Sequence, residues 1–194
     1  MLKISNLSKN YKGFLLKVKD LVFEVGKIYS LYGKNGAGKT TFLNIIAGID
    51  ENYNGQVINN FKKTGYAVQF IENVICKRTV KDEILSIVIE EKKAEKILLE
   101  LNLDDKKEMS PFLLSSGEKR LLFIRAVCEA FDLILIDEPF INLDRKSKMA
   151  VINFIKMSKN LGKTVIYTTN RIKDVAHSDK VLEIENGEIK TRDN

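Results

Sequence analysis

The chain has 194 residues, 44% of them hydrophobic, enough to bury the core of one domain with a small lobe. No apolar run reaches the ~18 residues that cross a bilayer, and the opening Met1-Leu2-Lys3-Ile4 lacks a secretory leader's apolar stretch, so the cytoplasm is the expected compartment. The net charge is +6, but the lysines are scattered as pairs such as Lys62-Lys63, Lys92-Lys93 and Lys106-Lys107, which read as solvated faces, and no nucleic-acid partner is expected.

Leu2-Lys3-Ile4-Ser5-Asn6-Leu7 alternates in the manner of a strand, and Leu16-Lys17-Val18-Lys19 and Leu21-Val22-Phe23-Glu24-Val25 predict two further antiparallel strands. Tyr11 is expected in a loop between them, where an aromatic ring either stacks on a purine or packs on its neighbours. Lys27 to Tyr32 predicts a strand and Thr41 to Ala47 a helix closed by Gly48. Short strands follow at Gln56-Val57-Ile58 and Tyr66-Ala67-Val68, with Gln69 ending the second. From Thr79 the period becomes helical: Val80, Ile84, Ile87 and Val88 share one face, Ala94, Ile97, Leu98 and Leu101 another, and Thr79 with Asp82 looks like a capping pair. Met109-Ser110-Pro111 closes this lobe, because a residue before proline is pushed out of helical geometry.

A helix opens at Ser115 and runs through Val127, with Cys128 on its apolar face as a small core residue; Cys128 and Cys76 form no C-x-x-C pair. Leu133-Ile134-Leu135-Ile136 is apolar without alternation, as a central parallel strand covered on both faces must be. After Asp144 a helix places Ala150, Phe154, Met157 and Leu161 on its buried side and stops at Gly162. Thr164 to Thr168 is a further core strand, and strands at Lys180 to Ile184 and Glu188 to Lys190 flank an Asn186-Gly187 hairpin turn. Strands alternating with helices give an α/β class with a mostly parallel sheet, an N-terminal antiparallel part and a small helical subdomain, and the glycine loop taken up next makes the expected core P-loop NTPase-type. The expected division is 1–78 and 131–194 for the core and 79–130 for the helical part.

The chemistry begins at Gly33-Lys34-Asn35-Gly36-Ala37-Gly38-Lys39-Thr40, which matches the phosphate-binding pattern G-x-x-x-x-G-K-[ST] between a predicted strand and a predicted helix. Gly33, Gly36 and Gly38 are read as removing side chains that would hold a phosphate away, so that main-chain N–H groups from Lys34 through Thr41 converge on the anion with the positive end of the helix. Lys39 then meets the outer phosphates and the Thr40 hydroxyl sits on Mg²⁺. Asp137 and Glu138 end the apolar strand and point to opposite sides. Asp137 suits Mg²⁺ through water, and Glu138 suits the orientation or deprotonation of a water aimed at the terminal phosphate. Ser115-Ser116-Gly117-Glu118 has two readings that physics alone leaves open: an S-x-x-E capping box, or an anion site at a helix start.

Taken together these stretches resemble the ATP-binding cassette ATPase family over nearly the whole chain. Gly33 to Thr40 looks like its Walker A motif, Gln69 like the glutamine of its partner-sensing loop, Leu114 to Glu118 like its signature, Leu133 to Glu138 like Walker B with the catalytic glutamate, and Ile141-Asn142-Leu143-Asp144 like the loop that crosses the dimer. Tyr11 stands where the family puts an adenine-stacking aromatic. The resemblance implies ATP and Mg²⁺ as ligands, the metal near Thr40, Gln69 and Asp137, and Glu138, Lys39, Gln69 and Asn170 as the catalytic set. It also implies a head-to-tail pair of nucleotide-binding subunits, identical or mixed, in which Ser115, Ser116, Gly117, Glu118 and Asp144 of one chain face the ATP on the other.

Two departures bear on rate. Ser116 and Glu118 stand where glycine and glutamine are usual, changes expected to keep donors at the helix start, and Asn170 stands where the family has a histidine beside the γ-phosphate. Asn donates a hydrogen bond but carries no positive charge, so slower hydrolysis is expected. The single histidine, His177, lies beyond that strand and is read as a surface or partly buried residue.

The implied role is the motor subunit of a membrane transporter, held at the inner face of the membrane by a separate permease, the minimal cassette being expected to serve peptide or antibiotic export. Phe70, Ile71, Val74 and Ile75 after Gln69 each suit the core, and as a group suit a patch for a permease helix. The competing reading is a soluble nucleotide-binding regulator with weak or no hydrolysis. A small phosphotransferase would have no use for the Ser115 motif, and the coiled-coil or double-cassette proteins of DNA repair and translation have parts this chain lacks.

Overall fold

A computed structural model describes residues 1–11 and 13–192. Its strands are β1 (Leu2–Tyr11), β2 (Phe14–Phe23), β3 (Ile28–Tyr32), β4 (Asn54–Asn59), β5 (Thr64–Ala67), β6 (Leu133–Ile136), β7 (Thr164–Thr169), β8 (Lys180–Glu185) and β9 (Glu188–Arg192). They form one mixed sheet in the order β4-β1-β2-β9-β8-β3-β7-β6-β5. The parallel centre is β8-β3-β7-β6-β5, and every residue of β6 and β7 is buried, as covering on both faces requires.

The antiparallel arm β4-β1-β2 continues this sheet and joins it through the single residue pair Lys17 and Glu188, reinforced by Lys17 N–H donating to the Gly187 carbonyl at 2.7 Å. Two expectations change here. The separate strands predicted around Leu16 and Leu21 are one strand, β2, because Asp20 pairs with Ser5 on β1 and does not break the ladder. Tyr11 lies inside β1, paired with Phe14 across a tight hairpin, and not in a loop.

The helices are α1 (Lys39–Ile46), α2 (Val80–Val88), α3 (Glu91–Glu100), α4 (Ser116–Ala130) and α5 (Arg145–Asn160). Thr79 caps α2 by accepting from the Asp82 N–H at 3.1 Å, and Ser110 is extended ahead of Pro111, which ends the lobe as predicted. Helix α4 serves two cores. Its Leu122 and Ala126 pack with Ile84, Ile97 and Leu98 of the helical lobe, while Ile124, Val127 and Cys128 pack with Ile134, Val151 and Val165 against the sheet.

On α5 the buried side is Val151, Ile152, Phe154, Ile155 and Ser158; Met157 and Leu161, expected inside, are exposed. The helix packs against both α4 and β7, and this double contact turns the covered face toward Val151 and Ile152.

The β8–β9 turn is the joint between centre and arm. Asn186 and Gly187 have φ of 49° and 81°, the pair of left-handed residues that a two-residue hairpin needs. A Cβ on Gly187 would lie 2.0 Å from the Leu15 carbonyl oxygen on β2. Gly187→Ala is therefore expected to cost about 1–3 kcal/mol, read as a lower urea midpoint at an unchanged slope.

Candidate active site

Parallel pairing sets the ends of four strands at one edge of the sheet: Tyr32 lies opposite Thr169, Ile136 opposite Tyr167, and Ala67 opposite Ile136. From these ends leave the glycine loop, Asp137-Glu138, Gln69 and Asn170, the place where open α/β sheets bind ligands. A cleft of about 350 Å³ opens there, lined by Tyr11, Phe14, Asn35, Gly36, Gly38, Lys39, Thr40, Thr41, Gln69, Glu138 and Asn170.

Lys39 is buried to 6% exposure at the first turn of α1, and its Nζ donates to the carbonyls of Gly33 at 2.9 Å and Lys34 at 3.1 Å. The same amine lies 3.4 Å from Glu138 Oε1. The glycines of this loop answer to more than a phosphate. A Cβ on Gly33 would strike Ile184 of β8 at 2.5 Å, and Gly38, at φ 101°, would strike the Phe14 ring at 2.8 Å. Of the three, only Gly36, at φ 79°, faces open space; close packing also requires glycine at the other two.

Asp137 is 1% exposed, and its carboxylate ties three elements together. It accepts from Thr40 Oγ1 on α1 at 2.7 Å and from Thr168 Oγ1 on β7 at 2.5 Å, with the Tyr66 hydroxyl of β5 at 3.5 Å. Burial first, and then the Asp137 charge, push the Tyr66 phenol far above its usual range, so it stays a neutral donor. A threonine hydroxyl beside one carboxylate, both hard oxygen donors, is the sparse protein contribution that Mg²⁺ accepts when phosphates and water complete its shell, so the residues fit this ion.

Glu138 sits at φ 50°, a left-handed conformation that costs a non-glycine residue roughly 1–2 kcal/mol. Its peptide is held at both ends: the N–H donates to Thr168 Oγ1 at 2.9 Å, and the carbonyl accepts from Arg120 Nη1 at 2.8 Å.

The family model described as ABC transporter matches residues 16–141, well over half of the chain. The chain belongs to the ABC transporter family. This cassette is 33% identical over 187 residues to the energy-coupling factor transporter ATP-binding protein EcfA2 of Thermotoga maritima, covering 86% of this chain and 70% of that one. It is 32% identical to EcfA1 of the same organism, covering 96% and 79%. Among solved structures it is similar to a dimeric post-hydrolysis ATP-binding cassette bound to ADP and Pi, at a TM-score of 0.85 and 25% identity over 99% of this chain and 98% of that one. The family's members are ATPases that bind ATP and act as the nucleotide-binding subunits of transporters, together with transmembrane permease components. Among the described residues, no helix of the cassette is long and apolar enough to cross a membrane.

The cassette gathers Tyr11, Asn35, Gly36, Gly38, Lys39, Thr40, Thr41, Gln69, Glu138 and Asn170 at one cleft, with Asp137 bonded to Thr40; Gly33, Lys34 and Ala37 line an adjoining hollow, and the other predicted residues lie outside both linings. Ser115 caps α4 in a complete capping box: its Oγ accepts from the Glu118 N–H at 3.2 Å, and Glu118 Oε2 accepts from the Ser115 N–H at 2.9 Å. Ser115 and Ser116 are exposed at this tip. The Glu118 carboxylate accepts in the box and pairs with Lys106 at 2.5 Å, a contact that holds it below the usual carboxylate range. Asp144 is exposed and caps α5 through the Ser147 N–H at 2.7 Å, which likewise lowers its pKa. Asn170 donates from Nδ2 to Asn35 Oδ1 at 2.9 Å, joining the end of β7 to the glycine loop.

The four apolar residues after Gln69 divide, with Ile71 buried, Ile75 partly buried, and Phe70 and Val74 exposed. Sequence reasoning did not single out Arg120, Tyr66 or Phe14. Arg120 was visible only as a basic residue one turn and a half past Ser115, and nothing in its local pattern reveals that it reaches two strand ends.

His177 is partly buried, with its ring edge against Phe140 at 6.0 Å between centroids. Burial, and after it the positive Lys148, hold its pKa below the ordinary histidine value. Between that ordinary value and the lower folded one the unfolded chain binds a proton that the folded chain refuses, so this contribution is present above about pH 6.5 and is lost as pH falls. Urea titrations at neutral and mildly acid pH should show the native chain losing more stability on acidification than His177→Gln; equal losses would remove the assignment.

Proposed function

We propose that this cassette binds MgATP in the Lys39 cleft, closes head to tail on a second nucleotide-binding subunit, and hydrolyses ATP to drive transport through a separate permease at the inner face of the membrane. One observation carries the reading. The cleft holds a phosphate loop, a Thr40–Asp137 pair and the Glu138 carboxylate, while the Ser115 tip, which the family pattern assigns to a nucleotide, is exposed and outside the lining of that cleft. This supports a nucleotide held between two chains.

In this reading Tyr11 stacks on the base, the loop N–H groups and Lys39 hold the phosphates, and Gln69 senses the partner. Lys39 exchanges the Gly33 and Lys34 carbonyls for phosphate oxygens, and Glu138 is freed to aim a water at the terminal phosphorus and take its proton. Thr40, Asp137 through water, and Gln69 would hold Mg²⁺, which when bound would neutralise phosphate charge. The Asn170 amide reaches the γ-phosphate edge without a positive charge, and turnover is accordingly lower than a histidine would give. Exposed Phe70 and Val74 form the apolar part of the permease contact, and the cargo is set by that permease. The core spans 1–78 and 131–194, with 79–130 as the helical subdomain.

Phosphate release from the chain, alone and assembled with its membrane partner, tests this. Glu138→Gln is expected to lower turnover by about 10²–10⁴-fold while ATP still binds. Lys39→Ala is expected to weaken ATP binding itself. Asn170→His is expected to raise turnover. A rate untouched by Glu138→Gln favours the regulator over the motor.

A further inference from the structure

The signature helix does more than present its tip. Arg120 lies on α4 five residues after Ser115, and its half-buried guanidinium spans two strand ends. Nη1 donates to the Glu138 carbonyl at 2.8 Å and Nη2 to the Gln69 carbonyl at 2.8 Å. These are the main-chain groups of the two residues whose side chains enter the cleft from β6 and β5. Glu138 is the strained one, at φ 50°, and its N–H is already fixed by Thr168. The carbonyl is the remaining main-chain anchor of that residue, shared among the described residues with the Ile141 N–H at 3.3 Å.

We infer that Arg120 is a positioning residue for hydrolysis: its two-pronged bond holds the Glu138 and Gln69 peptides at the spacing in which the carboxylate aims the attacking water. The assignment rests on the proposed role of Glu138. Geometry supports a positioning role over a merely cohesive one. A guanidinium is a rigid planar fork that fixes the separation of its two acceptors, whereas a cohesive contact would be served by any cation. Because the fork sits on α4, it also links the Ser115 tip of a chain to that chain's own Glu138.

The test compares the full chain with Arg120→Lys, Arg120→Ala and Glu138→Gln, measuring phosphate release, binding of a fluorescent ATP analogue and thermal midpoint. Arg120→Lys keeps the charge but cannot reach both carbonyls, and is expected to lower kcat by about tenfold or more, since small misplacements near the reacting atoms are costly. The KM for ATP and the analogue's Kd should stay within about twofold, the split expected when only the chemical step is touched. Arg120→Ala should fall at least as far; if it does not fold, the lysine variant still decides. With turnover abolished in Glu138→Gln, a native kcat in Arg120→Lys overturns the Arg120 assignment alone, as does a loss of kcat matched by an equal loss of analogue binding. Native turnover in Glu138→Gln instead overturns the reading of Glu138 on which the assignment stands.

Discussion

The carboxylate of Asp137 is the knot of this molecule. It is almost fully buried at the end of β6, and a charge in that place is tolerable only with its lone pairs satisfied. Thr40 and Thr168 satisfy them, and in doing so fix α1 and β7 to the end of β6. Thr168 then uses the same oxygen to receive the Glu138 N–H, so the group suited to a metal and the group suited to a water are set by one hydroxyl. The apolar layers around β6 and β7 supply the bulk of the stability, but this small polar network decides where the side chains of the cleft come to rest.

Around that knot the chain is built from pieces with shared duties. Helix α4 contributes to both the lobe and the sheet-side core, and so the exposed Ser115 tip is carried on an element rigidly seated in the centre. The arm β4-β1-β2 brings Tyr11 and Phe14 to the cleft, and it is joined to the centre at one residue pair beside a two-residue turn. The two walls of the cleft thus come from parts of the sheet that meet at a narrow seam. The Phe14 ring, pressed against Gly38, is a contact across it.

Much of this was legible beforehand, for identifiable reasons. The glycine loop, the apolar β6 segment ending in Asp137-Glu138 and the S-x-x-E start of α4 are local patterns whose chemistry follows from a few adjacent residues. What sequence could not supply were properties set by neighbours distant in the chain. The buried side of α5 depends on α4 and β7 together, and Met157 and Leu161 fall outside it although their spacing suits a core face. Gly33 owes its lack of a side chain to Ile184, some 150 positions away, and so its reason could not be read from the loop alone. Lys106, ahead of α4 in the chain, claims the Glu118 carboxylate, a pairing that the S-x-x-E pattern does not reveal.

The left-handed backbone of Glu138 has a consequence for anyone selecting hardier versions of this chain. Glycine or asparagine would adopt that conformation at lower cost, and selection on folding alone would reward either replacement. Each would discard the carboxylate. If Glu138 has the role proposed for it, robustness and activity pull in opposite directions at position 138, and heat-tolerant isolates altered there would be sturdy but slow.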